Sequence, residues 1–191
     1  MVAIAIVYFS GQGHTHLMAE ALAQGVETAS GTPHLLRITG DQMNNGRWQD
    51  DAILATLASA DAIAFGSPTY MGGVAGQFKC FIDAASAVWF QQGWKDKLAG
   101  GFTHSGSPSG DKQGALLYMA INASQHGMIW VGAAAMRDPA TGVNRLGSYM
   151  GVMGQSDPDM SGAPAKVDPG DLQSANLYGQ RLVTIAQKTA A

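Results

Sequence analysis

The sequence predicts an α/β protein whose doubly wound parallel sheet carries helices on both faces, and three observations predict it. Short apolar runs recur along the 191 residues, each followed by a stretch of helical periodicity. The first run, VAIAIVYF (2–9), is apolar without alternation, as expected of a strand buried on both faces. No internal repeat interrupts the pattern, and no linker is long enough to separate one domain from another, so residues 1–191 read as a single domain.

The elements follow in order. From Thr15 to Ala29, Leu17, Ala21, Leu22, Gly25 and Val26 fall on one side of a helix. HLLRIT (34–39) is a second strand, GDQMNNGRWQ a polar loop, and a helix follows near 50–59. ADAIAFGS (60–67) is the third strand. Phe78, Ile82, Ala85 and Trp89 recur at i, i+4, i+7 and i+11, which predicts one helix carrying all four on one face. LAGGFTHS (98–105) is the fourth strand, with a helix near 112–126 and a strand at MIWVG (128–132) after it. Residues 136–170 are rich in Gly, Pro, Asp and Ser and read as a long excursion around a short strand near Tyr149–Met153. In VDPGDLQSANLYGQ, Asp168 is an N-cap with Pro169 at the first helical position.

Composition narrows the function classes. Charged residues make up 13% of the chain, about half the ~25% usual for soluble proteins. Together with 25 glycines, this suggests tight loops around a ligand and surface covered by other subunits. A net charge of -3 gives no reason to expect nucleic acid or an anionic membrane surface as a partner. No apolar stretch is long enough to span a bilayer, and residues 2–9 lack the basic flank of a secretory signal. Cys80 is the only cysteine, which excludes an internal disulfide and fits a reducing, cytoplasmic setting. It reads as a packing residue, as do Trp48, Trp94 and Trp130, and the ten methionines read as core filler.

In an open parallel sheet, ligands bind beyond the carboxyl ends of the strands. Three strand-end loops here share hydroxyls and glycine: SGQGHT, SPTYMGG and SGSPSGDKQG. The first lacks both the Lys of a Walker A loop and the G-x-G-x-x-G of a dinucleotide fold. It offers the hydroxyls of Ser10 and Thr15 and the N–H groups of residues 11–15 at a helix N-terminus, donors suited to a phosphate dianion. With no Lys or Arg in the loop, the phosphate must be held by hydrogen bonds rather than by a counter-charge, which suits a bound mononucleotide. His14 and His16 form an H-x-H, but on a helix they diverge by roughly 200° and cannot share a metal, so no metal site is expected. No G-x-S-x-G elbow is present, which argues against hydrolysis.

These loops, with FGSPTYMGGVAGQFKCFID (65–83), Trp89, KLAGGFTHSGS (97–107) and the HGM of 126–128, make the chain resemble WrbA-type NAD(P)H:quinone oxidoreductases of the flavodoxin-like family. The resemblance runs over nearly the whole chain. It implies a flavodoxin-like five-stranded sheet of order 2-1-3-4-5 and an FMN cofactor. It also implies that Ser10, Gly11, Gln12, Gly13, His14 and Thr15 bind the FMN phosphate. Pro68, Thr69, Tyr70, Met71 and Gly72 would contact the ribityl chain and ring, with His104, Ser105, Gly106, Ser107, Pro108 and Ser109. His126 matches a histidine that reaches a flavin, that of a neighbouring subunit. Trp89 matches a wall of the nicotinamide and quinone pocket, and Gln12 stands where relatives often carry an aromatic.

What the resemblance implies is two-electron reduction of quinones by NADH or NADPH through one shared pocket, in a homo-oligomer, tetramer or dimer. No side chain is expected to be strictly catalytic, because the flavin carries the chemistry. The alternative is a flavodoxin-type electron carrier without turnover of its own. Classical flavodoxins are strongly acidic, and a net charge of -3 is not.

Overall fold

A computed structural model describes residues 1–189. Its central sheet is parallel in the order β2 (Thr32–Ile38), β1 (Ala3–Phe9), β5 (Ala62–Tyr70), β7 (Leu98–Ser105). The outer edge of β7 carries two short strands, β8 (Ile129–Trp130) and β9 (Val152–Gln155). This is the expected 2-1-3-4-5 order, with the fifth position divided between two pieces of chain.

The division is sealed by a side chain. β8 pairs with Leu98 and Ala99, β9 with Phe102 to Ser105, and Gly100 and Gly101 fall between them. There the Gly101 N–H donates to the Tyr178 hydroxyl at 3.3 Å, and that hydroxyl donates to the Val131 carbonyl. A Cβ on Gly100 would overlap the hydroxyl, so the phenol fits because the strand is bare at that point.

Tyr178 belongs to α6 (Pro169–Thr189), whose N-cap is Asp168: its carboxylate accepts from the Gly170 N–H at 2.8 Å, as the Asp-Pro pair predicts. α6 and α1 (His14–Thr28) cover one face of the sheet over Ile4, Ile6, Leu22 and Leu182. They approach closely because a Cβ at Gly25 or Gly179 would overlap backbone of the other helix. On the opposite face, α2 (Asp51–Ser59), α3 (Gly76–Ala84) and α5 (Lys112–Gln125) bury a second core around Phe65, Phe78, Phe81, Trp94 and Met119.

Four expectations are corrected. The polar loop 40–49 contains a hairpin, β3 (Met43–Asn44) and β4 (Arg47–Trp48), turning on Asn45 and Gly46 at φ 50° and 75°. It sets Trp48 edge-on to Phe81 at 5.1 Å. The third strand runs on to Tyr70 and doubles back through Met71 and Gly72, φ 48° and 80°, into β6 (Gly73–Val74). The helix through Phe78 and Trp89 is broken: Ala85, at ψ -2°, separates α3 from α4 (Ser86–Phe90). Phe78, Ile82 and Ala85 stay buried, but Trp89 is 43% exposed. Of the methionines, Met18, Met119 and Met128 fill the core, whereas Met1, Met71, Met136 and Met160 lie on the surface. Trp48 and Trp94 are buried and Cys80 packs half-buried against the second core. No helix among the described residues is long and apolar enough to cross a membrane.

Candidate functional site

A cavity of about 170 Å³ opens at the carboxyl ends of β1, β5 and β7. The first loop lines it with Ser10, Gly11, Gln12, His14 and Thr15, the second with Pro68, Thr69 and Tyr70, and the third with His104, Ser105 and Gly106. A fourth wall, Ser156, Asp157 and Pro158, comes from the segment after β9. Nothing in the sequence marked this wall, since the segment is a plain Gly/Pro-rich stretch whose nearness depends on the placement of β9.

The first loop is organised by Ser10. Its hydroxyl oxygen accepts from the N–H groups of Gly13 and His16, both at 3.2 Å, and keeps its own proton free to donate. Behind it, the Arg37 guanidinium donates to the Ser10 carbonyl at 3.0 Å. Gly13 sits at φ 96°, a conformation that glycine adopts without strain, and begins α1. The N–H groups of Gly11, Gln12, His14 and Thr15 have no protein acceptor among the described residues. With the Thr15 hydroxyl they form a set of donors at a helix N-terminus, open to an anion. Tyr70 leans across this loop, its hydroxyl beside Gly11.

In the second loop, the Thr69 hydroxyl is hydrogen-bonded to that of Thr103 at 2.8 Å, which ties the loop to β7. Met71 and Gly72 form the exposed tip of the adjoining turn.

The third loop is built around Lys112, which has no exposed surface. Its ammonium donates to Ser105 Oγ (2.8 Å) and to the carbonyls of Ser107 (2.6 Å) and Pro108 (3.0 Å). All three protons are used, and the loop is wrapped onto the cation. Burial lowers the Lys112 pKa to about 8, opposed by Asp171. Asp171 itself accepts from Arg145 Nε (3.0 Å) and Nη2 (2.7 Å) and from the Gln155 N–H (2.9 Å). Gln155 Nε2 donates to the Gly106 carbonyl at 3.3 Å, which carries this network to the cavity wall. Nothing in the local sequence marks Lys112, Arg145 or Asp171, because their roles arise from long-range contacts.

His14 and His16 diverge as their spacing predicts. His14 stacks on His104 with ring centroids 4.6 Å apart, while His16 meets the Tyr8 hydroxyl and Glu20.

Met71, Gly72, Ser107, Pro108 and Ser109 flank the cavity in its loops without lining it, and two further expected site residues, His126 and Trp89, lie far from it. α5 starts at the third loop and runs to the amino end of β7, roughly 20 Å away at 1.5 Å per residue. His126 caps that far end, buried with its ring 4.5 Å from that of Trp94 and its Nδ1 unpartnered among the described residues. Within one chain it does not reach the cavity, and at 3% exposure it lies just under the surface at that end. Trp89 stands exposed beside Phe90 on α4, also away from the cavity.

The parallel sheet, with its donor-rich loop at the switch point between β1 and β5, defines a flavodoxin-like α/β protein. The chain belongs to the NADPH-dependent FMN reductase family, whose model matches residues 4–142. It is 42% identical over 193 residues to Flavodoxin FldP of Pseudomonas aeruginosa, covering 97% of each chain. It is 31% identical to an NAD(P)H dehydrogenase (quinone) of Archaeoglobus fulgidus, over 98% of this chain and 99% of the other. Its fold is similar to that of the flavodoxin, WrbA-like protein from Agrobacterium tumefaciens, at a TM-score of 0.73 and 40% identity, covering 98% and 99% of the two chains.

Proposed function

We propose that this chain binds FMN in the cavity and uses it for two-electron reduction of quinones by NADH or NADPH. The observation that carries the reading is the first loop: four unpaired N–H groups and two hydroxyls converge with no Lys or Arg among the cavity's lining residues. That donor set fits one terminal phosphate. Ser10 to Thr15 would hold the phosphate. Pro68 to Gly72 and His104 to Ser109 would hold the ribityl chain and ring. When bound, FMN supplies the two-electron redox centre. The chain's residues bind and orient. Lys112 keeps the third loop folded, Tyr70 closes over the first, and Gln12 sits where the cavity meets the groove lined by 156–160 and 162–166.

Mixing the protein with FMN, NADH or NADPH, and a benzoquinone tests this directly through loss of the nicotinamide absorbance. Turnover that requires FMN is expected. FMN binding without turnover would favour the second reading, an electron carrier, which the 42% identity to a flavodoxin supports.

Thr15→Ala should weaken FMN binding. Loss of a hydrogen bond to a charged group costs about 1.5–3 kcal/mol, a roughly 10- to 150-fold rise in Kd. An unchanged Kd in calorimetry would reduce Thr15 to a packing residue of α1. The exposed Trp89–Phe90 pair supports a homo-oligomer in which Trp89 faces a neighbouring cavity. Light scattering at micromolar concentration that gave the 19.9 kDa monomer would contradict it.

A further inference from the structure

The cavity wall holds two histidines face to face. His14, from the start of α1, and His104, near the end of β7, stack at 4.6 Å with 11° between their planes. The Ser156 hydroxyl donates to the Lys166 carbonyl at 2.6 Å, so its oxygen accepts from His104 Nε2 at 3.0 Å. This fixes His104 as the Nε2–H tautomer. The ring nitrogens of His14 have no protein partner among the described residues.

Burial holds both imidazoles below the ordinary histidine range, so both are neutral at pH 7 in the free protein. Besides burial, His14 of α1, Lys112 of α5 and Arg145 of the excursion act on His104, and all three oppose a proton there. Asp157 lines the same cavity, and Asp171 of α6 is engaged by Arg145. His14 feels burial alone and has free nitrogens. An anion placed beside such a ring favours its charged form.

We propose that His14 takes up one proton from solvent when the phosphate of FMN enters the cavity, with neutral His104 as the stacked partner that positions its ring. This rests on the FMN reading above. It replaces the expectation of a phosphate held without counter-charge: the cation is created on binding. The sign of the effect is diagnostic. A phosphomonoester has its second pKa near 6, and N–H donors favour the dianion. Binding by those donors alone would therefore release a small fraction of a proton at pH 7.

Calorimetric titration of FMN at pH 7 in two buffers of different ionisation enthalpy counts the protons. We expect uptake of about 0.5–1 proton per FMN, with Kd rising by up to about tenfold per pH unit above neutrality. Riboflavin, which lacks the phosphate, should bind without uptake. His14→Asn should abolish uptake, whereas His104→Phe, which keeps a stacked ring, should retain it. FMN binding by the native protein with no uptake, or with release, would overturn the proposal and leave the FMN reading intact. Full uptake by His14→Asn would overturn the assignment to His14. No binding of FMN at all would overturn both readings together.

Discussion

Asp171→Ala is expected to lower the unfolding free energy by about 3–5 kcal/mol. The carboxylate is buried and accepts three hydrogen bonds, two from Arg145 and one from the Gln155 N–H. Its removal strands the Gln155 N–H and leaves the Arg145 guanidinium with Asp168 at 3.6 Å and the Gln155 oxygens as its remaining partners. The Arg145 side chain keeps some contact with solvent, which places the loss toward the lower end of that range. The pair is not a net gain over apolar packing, because burial pushes the Asp171 pKa up despite the Arg145 bonds. The double variant Asp171→Leu/Arg145→Met should accordingly recover some of the loss. Urea unfolding with unchanged m-values measures both. A loss below about 1 kcal/mol for the single variant would show that Arg145 finds water instead.

Acidification from pH 6.5 to 5 should destabilise the FMN-free protein by up to about 1.4 kcal/mol per pH unit through His104 alone. The folded protein depresses this pKa from 6.5 to about 3, chiefly by burial and then by His14, Lys112 and Arg145. The unfolded chain therefore binds more protons throughout that window, and stability present above pH 6.5 is lost as the pH falls. His104→Phe should reduce the slope. What remains is the part carried by His14 and His126, whose pKa values burial also lowers, less the opposing part from Asp171, whose pKa burial raises. The window lies above the titration of ordinary carboxylates, so their contribution is small. Equal slopes in the native protein and the variant would show that His104 protonates without cost in the fold.

The alternation of strands and helices was legible because each strand is an unbroken apolar run and each helix a periodic one. The fourth strand shows it best: LAGGFTHS is β7 residue for residue. The break after Ala85 was not legible, since the apolar spacing continues across it and only the backbone turns. Asn45–Gly46 carried a turn signal that the surrounding polar residues masked, while Met71 at positive φ carried none. The first loop announced its donors through composition, because glycine and hydroxyls at a strand–helix junction leave N–H groups free. Lys112 looked like a surface charge at a helix start, and only the inward carbonyls of Ser107 and Pro108 make it an internal anchor.

The divided fifth position also orders events in time. Strands β1, β2, β5, β7 and β8 all precede residue 131, but the outer side of Phe102 to Ser105 finds its partner only in Val152–Gln155. Tyr178, which closes the gap between the two pieces, comes later still. His104 and Ser105, both walls of the cavity, lie in that late half of β7. The pieces of chain that complete the outer side of β7 are thus the last of the sheet to be synthesised. Until then the outer edge of β7 begins at Gly100 and Gly101, residues of low strand propensity, which makes it a weak template for a second chain.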